Sequence, residues 1–205
     1  MHPRVLNAAG WSLVRKLIAE RLTEQWVLCG GTGLALQLGH RISRDLDFFR
    51  EGPFDAARLA DTLTRAGSVL VHGRSAGTLH VTVARMRVSF LEARRPLLFP
   101  GTAYRGLVVA DPRDIAVMKV VAIGGRGSRR DFVDLHFFLR AGGSLESIFE
   151  MTRRRFKGLD FNEYHLLKAL VFFEDAETEP MPRMLRKLVW ADVRRALIAE
   201  VRRLS

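Results

Sequence analysis

The residues with the most chemistry in them fall between Gly30 and Phe49, the stretch GGTGLALQLGHRISRDLDFF. Asp45 and Asp47 are separated by one apolar residue. On a β-strand such a pair points to one face, its members about 7 Å apart along the chain. Flanked by Leu46, Phe48 and Phe49, two carboxylates are costly to bury unless something cationic satisfies them. Divalent metal ions do so, and two-metal sites use such carboxylates to clamp attacking and leaving oxygens. An arginine salt-bridge pair also does so, and Arg41, Arg44 and Arg50 are close in sequence. Upstream, Gly30-Gly31-Thr32 sits where a strand gives way to a helix. Glycines there let backbone N–H groups approach a phosphate, and a helix N-terminus favours negative charge. An ordinary glycine turn is the alternative.

A second group of residues lies further on. Lys119 is the only charge in the run Ile115 to Ile123. A lysine in such a run either snorkels to water or meets an anion. Gly124-Gly125 is followed by Arg126-Gly127-Ser128-Arg129-Arg130, a cationic loop able to clamp a triphosphate through guanidinium forks. Asp131 and Asp134 open the next helix, a place that acidic side chains also favour through the helix dipole alone. The six histidines show no metal-ligand spacing, and His40 and His136 read as structural. Cys29 has no Cys–His partnership and is not expected to be a nucleophile. Trp11, Trp26 and Trp190 read as packing residues.

The elements that must position these groups follow from periodicity and punctuation. Residues 5–23 have a helical period, with Leu13, Val14, Leu17, Ile18 and Leu22 on one stripe. Gln25 to Cys29 is a short β-prone run, 32–39 reads as a helix, and Leu46 to Phe49 as a second strand. Leu59 to Ala66 suits a helix stopped by Gly67. Runs at 68–72, 78–84 and 86–91 read as strands, the last two as adjacent members of a meander, with Gly73 and Gly77 bracketing one turn. Residues 105–109 are expected to add an edge strand. Asp111-Pro112 starts a helix, an N-cap followed by proline at the first position. From there the period is helical. Glu174 to Pro182 reads as an acidic linker. The last helix is expected to align Leu185, Leu188, Val189, Val193, Leu197 and Leu204. The expected division is an α/β core over 1–110 and a helical part over 111–205.

Bulk properties bound the reading. The chain has 205 residues, 48% of them apolar, and can bury a sizeable core. One cysteine allows no intrachain disulfide framework, which suits a reducing cytosol. The first residues lack the apolar stretch of a signal peptide, and the longest apolar runs are too short to span a bilayer. A cytoplasmic protein is expected. The net charge of +11 favours a polyanionic partner such as RNA, DNA or nucleotide phosphate, with solvated arginine-rich faces as the alternative.

The combination of motifs resembles the AbiEii/AbiGii-type nucleotidyltransferase toxins of the DNA polymerase β superfamily. The shared elements are the glycine pair and Thr32, then Arg41-Ile42-Ser43-Arg44 leading into Asp45-Leu46-Asp47. Later come Lys119, Arg126 and Arg130-Asp131-Phe132-Val133-Asp134. The resemblance covers roughly residues 25–140. It implies an α+β fold, a mixed sheet flanked by helices, followed by an all-helical C-terminal part that completes the cleft. It implies Mg²⁺ (or Mn²⁺) on Asp45 and Asp47, and NTP as substrate. Gly30, Gly31, Thr32, Arg41, Ser43, Lys119, Arg126 and Arg130 would bind the nucleotide. Asp45, Asp47, Lys119, Asp131 and Asp134 would form the catalytic constellation. An NMP would pass to an acceptor, first of all the 3′ end of tRNA, and a winged-helix antitoxin is an implied partner.

One departure stands out. Superfamily enzymes usually carry a third carboxylate on a neighbouring strand. Here that strand, Met86 to Leu91, offers Ser89 inside and Glu92 at its end. Glu92 is the acid there that could reach a metal; without it, metal binding rests on Asp45 and Asp47, with Asp131 or Asp134 able to compensate from the helical half. The missing acid favours a competing expectation, a catalytically weak nucleotide- or RNA-binding module; a subunit acting through its toxin–antitoxin partner is a third.

Overall fold

The structure is a computed structural model that describes residues 1–159 and 162–204. A short 3₁₀ turn precedes α1 (Ala8–Ala19), whose first turn is capped by Asn7 accepting from the Gly10 amide. The chain continues through β1 (Val27–Leu28), α2 (Gly30–Leu38), β2 (Asp45–Arg50), α3 (Ala56–Leu63), β3 (Val69–Ser75), β4 (Thr78–Val83), β5 (Met86–Glu92), β6 (Thr102–Tyr104) and β7 (Leu107–Val109). Helices follow: α4 (Pro112–Gly125), α5 (Arg129–Arg140), α6 (Leu145–Arg155), α7 (Glu163–Ala169), α8 (Glu174–Thr178) and α9 (Trp190–Leu204).

The seven strands form one mixed sheet in the order β3-β4-β5-β2-β1-β7-β6. β2 runs parallel to β5 and antiparallel to β1, and β4 is antiparallel to both β3 and β5. Strand alternation sorts side chains between the two faces. Leu46 and Phe48 on β2, Val88 and Phe90 on β5, and Leu79, Val81 and Val83 on β4 are buried. They pack with Leu13, Val14 and Leu17 of α1 and Ala56, Ala60 and Leu63 of α3. The residues between them, Asp45, Asp47, Ser89 and His80, lie on the opposite face and line a cavity.

A second core joins α4, α5, α6 and α9 around Val117, Phe132, Leu135, Ile148 and Leu197. Between the two cores, Cys29, Leu34, Ala110 and Ile115 form a small buried cluster that ties α2 to the start of α4. That start is built as the sequence implies, with Asp111 accepting from the Arg113 amide and Pro112 in the first turn.

Several elements differ from expectation. The strand read over 25–29 shrinks to Val27–Leu28, and α2 begins at the glycine pair itself rather than after it. Gly73 does not bracket the β3–β4 turn. It lies at a register shift inside β3. The strand read at 105–109 is β7, and it is interior: it pairs with β1 on one side and with β6, the actual edge, on the other. The acidic linker contains α8. The apolar stripe expected along the last helix is broken, because α9 starts only at Trp190. Leu185 and Val189 precede it and are exposed, whereas Val193 and Leu197 are fully buried. Backbone pairing explains this. The segment around Arg183 to Arg186 is used as a strap, bonding Ile42 and His40 through main-chain atoms, and cannot also be helix.

Candidate active site

The cavity on the open sheet face measures about 670 Å³ and sits between β2, β5, β4 and the helices α4 and α5. That volume lies within the range of small-molecule sites. Its walls include Gly30, Gly31, Arg41, Ser43, Asp45, Asp47, Ser89, Lys119, Arg126, Arg130 and Asp131.

The glycine pair is needed by the side chains around it. Gly30 has φ +59°, a left-handed conformation disfavoured for residues with a Cβ. A Cβ there would overlap the Asp47 carboxylate, and one on Gly31 would overlap the Arg41 guanidinium. The absence of both Cβ atoms lets a carboxylate and a guanidinium press against the start of α2. Thr32 takes no part in the cavity wall. It is buried, its hydroxyl 2.7 Å from the Ser43 hydroxyl and donating to the Asp45 carbonyl. It fixes the approach to β2.

Asp134 also lies behind the cavity rather than on it, fully buried. Arg41 grips it bidentately at 2.6 and 2.8 Å, Lys119 Nζ approaches its Oδ2 at 2.8 Å, and His40 Nε2 donates to its Oδ1 at 2.8 Å. Burial alone would push this carboxyl up, but Arg41 and Lys119 outweigh it and hold it well below the ordinary range. Burial keeps the His40 imidazole below its usual pKa despite Asp134, so a neutral ring supplies that N–H. Lys119 bridges Asp134 to Asp131, whose Oδ1 is 2.6 Å from Nζ. Burial opposes the lysine's charge, yet the two aspartates raise its pKa. An ammonium has three donors, and these contacts use two. The second oxygen of Asp131 has no partner among the described residues.

Asp45 and Asp47 are furnished differently. Asp45 meets one cation, Arg130, at 3.0 Å, and that pair is half-exposed. The arginine at Asp45 therefore comes from the helical half, while the nearby Arg41 is turned to Asp134. Asp47 forms no ion pair among the described residues. Burial pushes its carboxyl up, with Lys119 and a hydrogen bond from the Ser89 hydroxyl pulling the other way. Arg126, exposed on the rim, also faces it electrostatically.

Glu92 does not reach this site. It pairs with Arg50 at the end of β5, its carboxylate lies against Gly77, and it does not line the cavity. The register partner of Asp47 is Ser89, and that of Ser89 is His80, which sequence reasoning passed over. The polar alternation of Thr78, His80 and Thr82 marked an exposed face, but only the cross-strand register brings that face to Asp47. Burial raises the Cys29 thiol, in keeping with an inert packing role. Trp26 packs edge-on to Phe54 and Phe90, and the Trp11 indole donates to the Pro3 carbonyl.

A mixed sheet whose Asp-x-Asp strand lies against a glycine-opened helix, with a lysine helix closing the cleft, defines a polymerase β-type nucleotidyltransferase fold. The family described as nucleotidyl transferase AbiEii toxin, type IV TA system, matches residues 11–203. The chain belongs to that family and is a nucleotidyltransferase. It is 35% identical over 171 residues to the uncharacterised protein aq_aa25 of Aquifex aeolicus, covering 81% of this chain and 82% of that one. Among solved structures it resembles MenT4, a nucleotidyltransferase toxin of Mycobacterium tuberculosis, with a TM-score of 0.56. Identity there is 16%, over 97% of this chain and 87% of MenT4. The antibiotic-resistance factor ANT(2'')-Ia matches with a TM-score of 0.50 and 12% identity, over 70% and 89% of the two chains. No helix among the described residues is long and apolar enough to cross a membrane.

Proposed function

We propose that this chain transfers a nucleoside monophosphate from an NTP to an RNA hydroxyl, the 3′ end of tRNA being the first acceptor to test. The observation that carries the reading is the contrast in cationic supply at the cavity. Asp47 is half-buried with no ion pair among the described residues, while Lys119, Arg126 and Arg130 line the same cavity.

The carboxylates suit a divalent ion of the Mg²⁺ or Mn²⁺ kind. Among the described residues no cluster of three or more His, Cys, Asp or Glu is placed to hold a metal. Magnesium characteristically takes one or two carboxylates and completes its shell with phosphate oxygens and water. Asp45 and Asp47 would hold it. When bound, such an ion neutralises charge on the phosphates and lowers the pKa of a nearby hydroxyl. The Gly30 and Gly31 amides at the start of α2, Ser43, and the third donor of Lys119 would meet phosphate oxygens. Arg126 and Arg130 would clamp them from the rim, Arg130 exchanging its contact with Asp45 for the triphosphate. Asp131 and Asp134 hold Lys119 charged and aimed, and Thr32 and Arg41 hold the walls.

The family name supports an antitoxin partner, for which we expect a winged-helix domain, and the basic surface supports a nucleic-acid acceptor in the cytoplasm. The replacement of an acid by Ser89 favours a second reading, a nucleotide-binding module with weak turnover. The test is incorporation of α-labelled NTPs, one base at a time with Mg²⁺, into total tRNA. Label that disappears in the Asp45→Asn/Asp47→Asn variant supports transfer and names the base. NTP binding without label in any RNA would favour the binding module.

A further inference from the structure

The open face of the sheet carries a hydrogen-bonded row where an acidic residue is missing. Asp47 on β2, Ser89 on β5 and His80 on β4 are consecutive register partners. The Ser89 hydroxyl bonds to the Asp47 carboxylate and lies 3.1 Å from His80 Nδ1. A serine hydroxyl has one hydrogen to give, and an ionised carboxylate only accepts. That hydrogen therefore goes to Asp47, and the contact with His80 has to be supplied by an N–H on Nδ1. The row fixes the neutral imidazole as its Nδ1–H tautomer. Nε2 is then a lone-pair acceptor, unpartnered among the described residues, on an exposed ring that lines the cavity.

We propose that His80, oriented by Asp47 through Ser89, is the general base for the acceptor hydroxyl. The assignment rests on the transfer reading above. Nε2 takes the proton as the hydroxyl oxygen forms its bond to the α-phosphorus. The bond from that phosphorus to the β-phosphate oxygen breaks, and pyrophosphate leaves with its electron pair. Histidine suits this step because a neutral imidazole nitrogen with a free lone pair can take a proton within hydrogen-bond reach. The charged and titratable groups facing His80 are His72 on β3, Arg87 on β5 and Asp45 and Asp47 on β2. Lys119, Arg126, Arg130 and Asp131 face it from the helical side of the same cavity, and Arg41 lies on its wall. His72 is engaged with the Thr82 hydroxyl at 2.7 Å and lacks the carboxylate-anchored row that orients His80.

Two measurements test this independently. In ¹⁵N-histidine-labelled protein at pH 8, the two-bond nitrogen–proton spectrum should show His80 as the Nδ1–H tautomer, and Ser89→Ala should shift it toward Nε2–H. An Nε2–H tautomer in the native chain overturns the proposal without reference to turnover. In the transfer assay, His80→Gln should lower kcat by about 10²- to 10⁴-fold, the usual range for general-base catalysis. The KM for NTP should stay within about twofold, as expected when only a transition-state interaction is removed. Added imidazole should partly restore His80→Ala. Unchanged kcat in His80→Gln with an unchanged melting temperature overturns the base assignment alone. A native chain that shows the Nδ1–H tautomer yet labels no acceptor overturns the transfer reading, and the base role falls with it.

Discussion

Asp134 and Asp47 are carboxylates of one site, the first fully buried behind the cavity and the second half-buried on its wall, and they are treated in opposite ways. Asp134 accepts two guanidinium N–H groups from Arg41, one contact from Lys119 and one from His40. Asp47 has one hydroxyl, Ser89, and no ion pair among the described residues. The first carboxyl is held well below its ordinary pKa and the second is raised above it. The difference teaches what decides the job of an acid withdrawn from bulk water. A carboxylate saturated with donors has no coordination left for a ligand and serves as a tie between elements. One left short of donors carries an unmet demand that a metal ion or substrate cation can meet.

The comparison breaks most visibly at Asp134. Asp134→Asn leaves Arg41 buried without its counter-charge and Lys119 with Asp131 alone, and removing one partner of a buried ion pair costs about 3–5 kcal/mol. Urea unfolding should show that loss, and a change below about 1 kcal/mol would mean the tie is dispensable. The sign of its pH dependence follows from the direction of the shift. The folded carboxyl titrates below the unfolded value of 3.8, so its contribution is full above that value. It is lost as pH falls from 3.8 toward the folded pKa. Native stability should therefore drop more steeply than that of Asp134→Asn in that acidic window.

Arg130→Ala probes the boundary between the two treatments, since among the described residues Arg130 is the one cation paired with the Asp-x-Asp carboxylates. The pair is half-exposed, so stability should move by less than about 1 kcal/mol. NTP affinity measured by titration calorimetry should fall about tenfold, or about 1.4 kcal/mol. Unchanged affinity would assign Arg130 to the walls. The smallest expected effect is the opposite in sign. Asp47→Asn removes a charge that the fold disfavours, so without divalent ions its melting temperature at pH 8 should rise. About 1 kcal/mol of relief corresponds to about 2–4 °C for a domain of this size. The penalty exists only where Asp47 is ionised in the fold, so the difference should close as pH falls to 3.8. A lower melting temperature at pH 8 would place Asp47 with Asp134 as a structural acid.

Much of the architecture was legible because it rests on local rules. The cap at Asp111, the antiparallel pair β4 and β5 and the change to helices after residue 110 follow from turn chemistry and periodicity. What was not legible depended on partners far away in sequence. The 105–109 run became an interior strand because β6 covers one edge and β1 the other. The stripe from Leu185 was cut because its backbone is spent on His40 and Ile42. At the site, the Asp45 and Asp47 pair, Lys119 and Asp131 were visible as types at suggestive spacings. Ser89 was visible only as a missing acid, and His80 not at all as part of this row.

The sequence by itself determined that two carboxylates would share one strand face, that glycines would precede them and that a lone lysine would sit in an apolar helix. Those are consequences of period and residue type, which any window of the chain contains. Only the tertiary structure decided which acid would be saturated and which left short. It turned Arg41 to Asp134, brought Arg130 across to Asp45, kept Glu92 away at Gly77 and set Ser89 and His80 in line with Asp47. Donor supply is a property of strand register and helix docking, and neither is encoded within a single segment.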